Sequence, residues 1–116
     1  MKKFTLKPRI VFDKDAVSYL CLLEEKRFFV IADHFLVKNK MISRVTDQLG
    51  ERDFKIYSNI IPDPPVEIVA QCIKEIMDYN PDCVIAVGGG SAIDTAKAVI
   101  YYGKSSVRFV AVPTRS

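Results

Sequence analysis

Residues Cys83–Lys97 read CVIAVGGGSAIDTAK. The stretch opens on an unbroken apolar run, Cys83-Val84-Ile85-Ala86-Val87. A run of that kind, without polar alternation, reads as a strand buried on both faces, as in a parallel sheet. It meets Gly88, Gly89 and Gly90, three of only five glycines in the chain. Ser91 follows, with Asp94 three residues further on, a capping-box-like start for a helix. Strand, glycine turn and helix N-terminus together present free backbone N–H groups and the positive end of a helix dipole to an anion. Without a Cβ, glycine lets a phosphate approach the backbone closely. A phosphate-bearing ligand is therefore the leading expectation, and a plain tight turn is the alternative.

The totals narrow the class. At 116 residues the chain is one domain at most. Hydrophobic residues make up 49% and charged residues 27%, an ordinary globular balance. The net charge of +3 is weak, and lysines and arginines are interleaved with acids, so nucleic acid is not an expected partner. No apolar run approaches a membrane span, and the start, MKKFTLKPRI, has no continuous apolar region of a signal peptide. Cys21, Cys72 and Cys83 are widely spaced in apolar surroundings and read as reduced core residues of a cytoplasmic protein. With one histidine, no CxxC and no HExxH, no metal cage is evident.

Outward from the glycine stretch, strands and helices alternate. Phe4–Leu6 and Arg9–Phe12 are two short strand-like pieces around Pro8. Asp13 caps a helix expected to run to about Glu25, with Ala16, Val17, Leu20 and Leu23 inward. Phe28–Ala32 is a second doubly buried strand, ending at Asp33-His34. A helix is expected from about Phe35 to Leu49, with Val37, Met41, Ile42, Val45 and Leu49 on one face and Gly50 as its stop. Phe54–Tyr57 reads as a strand. Asp63-Pro64-Pro65 opens a helix with Asp63 as cap and Val66, Val69, Ile73, Ile76 and Met77 as its buried stripe, stopped by Asn80-Pro81-Asp82. A largely buried helix runs from Ser91 to about Tyr102, ended by Gly103, and Arg108–Val112 is the last strand, leaving Pro113–Ser116 as chain end. The alternation predicts an α/β fold, a mostly parallel sheet flanked by helices with a short N-terminal strand pair.

In such a sheet ligands bind beyond the carboxyl ends of the strands. Asp33, the turn at 60–63, Gly88–Asp94 and Thr114 all fall there. The pattern is not GxGxxG, because the acid, Asp33, precedes the glycines instead of following them. An acid after a buried strand can accept hydrogen bonds from a ribose diol, and it can equally cap the helix that follows. The residues alone thus point to a nucleotide-type ligand and leave the nucleotide open.

GGGSAIDTAKAV after an apolar strand, a following strand ending in VPT, and the VIADHF and IPDPPVEIV segments in order together resemble the iron-containing (group III) alcohol dehydrogenases. The DPP form, the short 104–107 connection and the N-terminal region are similar to the propanol and ethanol dehydrogenases of bacterial microcompartments. The resemblance covers nearly the whole chain and implies a Rossmann-like domain truncated relative to the family. Residues 1–116 would be a single, incomplete dinucleotide-binding domain, and the C-terminal helical metal-binding domain would be absent.

By position, the resemblance implies cofactor contacts at Asp33, Asp63, Gly89, Gly90, Ser91, Ala92, Ile93, Asp94 and Thr114. Asp33 matches the acid at the adenine ribose and favours NAD over NADP, since a 2′-phosphate would be repelled. Asp63 stands where many members have an asparagine. Gly89, Gly90 and Ser91 match the pyrophosphate loop, and Asp94 completes it. Thr114 matches the first threonine of the PTT segment, whereas Arg115 replaces the second.

The implied reaction is hydride transfer between a primary alcohol and the nicotinamide, an oxidoreductase acting on a CH–OH group, with Fe2+ or another divalent metal polarising the alcohol oxygen in the full-length enzyme. Its ligands, an aspartate and three histidines, belong to the second domain. His34 is expected to be a solvated loop residue, and the chain is expected to be inactive alone. Implied partners are the nicotinamide dinucleotide and either a second copy or a C-terminal half. The implied location is the cytoplasm, with microcompartment association. A non-catalytic nucleotide-binding module and a subunit-interaction protein remain the alternatives.

Overall fold

The computed structural model describes residues 10–103 and 106–115. The strand expected at Phe4–Leu6 lies outside the described residues. The elements run β1 (Val11–Phe12), α1 (Lys14–Tyr19), β2 (Arg27–Ala32), α2 (His34–Lys38), α3 (Ser43–Thr46), β3 (Asp53–Tyr57), α4 (Val66–Tyr79), β4 (Cys83–Gly88), α5 (Gly90–Gly103) and β5 (Arg108–Arg115). The sheet order is β1-β5-β4-β2-β3. Strands β3, β2, β4 and β5 are parallel, and β1 pairs antiparallel with the end of β5.

The doubly apolar runs explain the layers. Along β2, Phe28, Val30 and Ala32 pack with Ile85 and Val87 of β4 against Leu20, Leu36, Val45 and Leu49. The alternate residues Phe29 and Ile31 pack with Val84 and Ala86 against Val69, Cys72, Ile76, Ala96 and Val99. Thus α1–α3 cover one face and α4 and α5 the other, and β4 is buried from end to end and β2 from Phe28 onward. Each fully buried large apolar side chain contributes about 1.5–3 kcal/mol. From β2 the chain steps outward to β3, then returns across β2 to β4 and continues outward to β5. The strand order therefore reverses between β2 and β4, which places a crevice at their carboxyl ends.

Four elements differ from expectation. The first helix is cut short, with a 3-10 turn at Leu20–Leu22 and an extended Leu23, although Asp13 does cap it through Ala16 N–H at 3.0 Å. The single helix expected over 35–49 is two short helices and a 3-10 turn. Asn39 N–H still bonds the Phe35 carbonyl at 3.1 Å, but Lys40 has φ 60° and Met41 N–H reaches back to Leu36 at 2.8 Å, so the helical ladder is broken there. Ile42, Val45 and Leu49 nevertheless all point into the core. In α4 the N-cap is Pro65, not Asp63, and no side chain caps it. Its buried stripe is Val69, Cys72 and Ile76, while Val66 and Met77 are 79% and 73% exposed. Finally, β5 continues through Pro113 to Arg115. Proline is tolerated because it meets Gly88 at the last rung of β4, and its carbonyl accepts Asp13 N–H at 3.1 Å.

Candidate functional site

Strand β2 ends at Ala32, opposite Val87, and Asp33 N–H still bonds the Val87 carbonyl at 3.2 Å. Asp33 is half-buried, and its Oδ1 accepts Phe35 N–H at 3.0 Å, so it caps α2. The cap uses one oxygen and leaves the other able to accept from a ligand. The two readings of Asp33 are therefore compatible. His34, beside it, is an exposed first residue of α2.

The three glycines have different reasons to be glycine. Gly88 has φ 139°, and a Cβ there would stand 3.2 Å from both Asp33 Cβ and Ala92 Cβ. Gly89 and Gly90 have ordinary φ, and a Cβ on either would meet no atom within 4 Å. Nothing in the fold requires glycine at 89 and 90. A Cβ at either position would stand in open space, and α5 begins here, where the leading N–H groups of a helix lack helical partners. Helix α5 begins at Gly90, one residue before the expected cap. The Gly89 carbonyl accepts Ile93 N–H at 3.3 Å, and Ser91 lies within the first turn, where its carbonyl accepts the buried Thr95 hydroxyl at 2.7 Å. Ala92 is fully buried and Ile93 packs against the core beneath α5, so their side chains support the turn.

The remaining expected residues lie elsewhere along the edge. Asp63, with φ 47°, and Asp94 line one groove of about 570 Å3 between α4 and α5, over a largely apolar floor that includes Val69, Ile73 and Ala98. The structure thus brings Asp33 together with the glycine turn, and Asp63 together with Asp94. Thr114 is half-buried, one residue past the Gly88–Pro113 rung, and pairs with Phe12. With Asp13 and Arg115 it lines a pocket of about 250 Å3.

A feature not anticipated from the sequence sits beyond the ends of β2 and β3. His34, Ser58, Asn59 and Ile60 line an open pocket of about 530 Å3. Gln71 of α4 fixes this corner, its Oε1 accepting from the Tyr57 hydroxyl and Asn59 Nδ2, each at 3.2 Å. Burial pushes the Tyr57 hydroxyl up from its ordinary value. The available signal was position, since Ser58 and Asn59 directly follow a parallel strand. Among the described residues no group of three or more His, Cys, Asp or Glu side chains could hold a metal. Among them, too, no helix is long and apolar enough to cross a membrane.

A doubly wound parallel sheet with a glycine turn at its switch point defines the class, a Rossmann-like α/β domain. Residues 7–116 match the iron-containing alcohol dehydrogenases, and the chain belongs to that family. It is 36% identical over 121 residues to the 1-propanol dehydrogenase PduQ of Citrobacter freundii, covering 100% of this chain and 33% of that protein. It is 33% identical over 106 residues to the NADPH-dependent butanol dehydrogenase of Clostridium saccharobutylicum, covering 88% of this chain and 27% of that protein. The sulfoacetaldehyde reductase of Bifidobacterium kashiwanohense, solved in complex with NAD+, shares the fold with a TM-score of 0.70 at 22% identity, over 82% of this chain and 26% of that one. The chain spans about a third of the length of the curated propanol dehydrogenases it matches.

Proposed function

We propose that this chain is the part of an alcohol dehydrogenase that holds the nicotinamide dinucleotide during hydride transfer to or from a primary alcohol. The observation that carries the reading is the open space around Gly89 and Gly90 where α5 begins, at positions where the fold gives glycine no packing reason. In this reading the pyrophosphate lies there, with Ser91 in the first turn beside it. The free Asp33 oxygen accepts from the adenine ribose, Asp63 and Asp94 flank the cofactor, and Thr114 lines the cleft beyond β5. The Asp33 carboxylate favours NAD, because a 2′-phosphate would meet a like charge. The butanol dehydrogenase relative is named for NADPH, so the family name alone does not choose between the two cofactors.

The domain's contribution is to fix the nicotinamide against the alcohol oxygen, and a bound divalent metal supplies Lewis-acid polarisation of that oxygen. With a single histidine, the chain cannot provide the three-histidine ligand set that the family resemblance implies, and we propose that residues 1–116 are an incomplete dinucleotide-binding domain, inactive alone. The exposed Val66, Met77, Tyr101 and Tyr102 on α4 and α5 support association with a second copy or a C-terminal half. Cytoplasmic, microcompartment-associated placement follows the resemblance to the propanol dehydrogenases.

Titration of the chain with NADH, followed by fluorescence or calorimetry, tests the reading beside Gly90→Asp. Saturable binding that disappears in the variant is expected. A folded chain without saturable binding, or a variant that binds as tightly, overturns it.

A further inference from the structure

We infer that Gly88 is a positioning residue that sets the span between the Asp33 carboxylate and the N-terminus of α5, so that both can engage one dinucleotide. The inference rests on the functional reading above. The two arms of that site leave the sheet in opposite directions, since Asp33 opens α2 on one face and Gly90 opens α5 on the other. They come together only where β2 and β4 end, at the Ala32–Val87 rung and the Asp33 N–H bond to the Val87 carbonyl. Gly88 is the next residue, and it is wedged between the arms. Its hypothetical Cβ lies 3.2 Å from the Cβ of Asp33 on one arm and 3.2 Å from the Cβ of Ala92 on the other. Its φ of 139° is a conformation that side-chain-bearing residues rarely adopt.

A side chain at 88 must therefore push the two arms apart by a few tenths of an ångström or rotate the turn. A ligand gripped at both ends tolerates such displacement poorly, because productive contacts hold only within about 0.5 Å. Gly89 and Gly90 lack this role, since a Cβ at either position meets no atom within 4 Å.

The test is a double-mutant cycle read by NADH affinity, with circular dichroism and thermal unfolding showing that each variant is folded. Asp33→Asn keeps a side chain that caps α2 but removes the charge, and should weaken NADH about tenfold in the wild-type background. In the Gly88→Ala background the same change should cost less than about twofold, because the carboxylate is already displaced. Ala92→Val, which enters the same space from the helix side and leaves Gly88 in place, should abolish the coupling in the same way and carries the test if Gly88→Ala does not fold. A full tenfold cost of Asp33→Asn in both backgrounds overturns the positioning role and leaves the binding site standing. Absence of NADH binding in the wild type, or no cost of Asp33→Asn there, instead overturns the binding reading and the inference with it.

Discussion

The two ends of the sheet use polar residues in opposite ways. At the amino end the arginines close on the protein itself. Arg52 donates to the carbonyls of Leu20, Leu23, Glu25, Gln48 and Leu49 and lies 4.8 Å over the Phe28 ring. Arg27 reaches the Tyr79 carbonyl at 2.7 Å and Asp53 at 3.4 Å, and Glu25 pairs with Arg108. At the carboxyl end Asp63 and Asp94 line an open groove, Asp33 uses one oxygen, and two glycines face empty space. Arginine–acid pairs and arginine–carbonyl bonds thus occupy one edge, whereas Asp63 and Asp94 at the other form no ion pair among the described residues and face open space.

If the amino end is sealed, Cys83, the first residue of β4, should be as shielded as Cys72 on the buried face of α4. Burial, reinforced by the nearby Glu25 carboxylate, pushes its thiol up to about 12, and burial with Glu75 does the same for Cys72. At pH 8 only about one in ten thousand of such thiols is the reactive thiolate. Labelling of the native chain with a thiol reagent should therefore modify the exposed Cys21 promptly, and the other two only after denaturant is added. Labelling of Cys83 as fast as Cys21 would mean that this edge opens. Next in size is Arg52. Arg52→Met keeps much of the packing over Phe28 but abandons carbonyls that the folded chain has gathered around one cation. A loss of about 3 kcal/mol in urea unfolding is expected, without a change in NADH affinity at temperatures where the variant is folded. Weaker binding at full folding would break the separation of the two ends.

How far the sequence anticipates this arrangement depends on the range of the forces involved. Strands β2 and β4 were legible because a buried parallel strand must be apolar on both faces, and FFVIA and CVIAV are. The edges of the fold were less so. The 35–49 segment has helical spacing throughout, but Lys40 turns into the left-handed region and Met41 N–H bonds back to Leu36, out of the helical ladder. Val66 and Met77 fit the α4 period, yet they fall outside the contact that the sheet makes. β5 runs past Pro113 because β1, from the other end of the chain, pairs with it. In the site, the glycine turn and Asp33 were readable from local pattern. The distinction among the three glycines was not, because the constraint on Gly88 comes from Asp33, far away in sequence.

The smallest effect concerns the link between the two ends along β2. Asp82, just before β4, accepts Lys26 N–H at 3.0 Å and Arg27 N–H at 2.8 Å, tying the start of β2 to the start of β4. Burial raises the carboxyl's pKa, but the backbone N–H bonds and the Arg27 charge outweigh it and hold the group below its ordinary value. A carboxyl with a depressed folded pKa contributes stability that is present above the unfolded value of about 3.9 and is lost as pH falls through the folded one. The carboxylate is largely solvated, so the contribution is under about 1 kcal/mol. Asp82→Asn should therefore lower stability slightly at neutral pH and flatten the decline below about pH 4, as read by urea unfolding across that range. Its NADH affinity at pH 7 should match the wild type, because the rungs of β2 and β4 beyond Cys83 do not depend on this clasp. A weakened NADH affinity in a fully folded Asp82→Asn chain would show the register at the amino end being transmitted along β2 to Asp33, and the two edges would then have to be treated as one device.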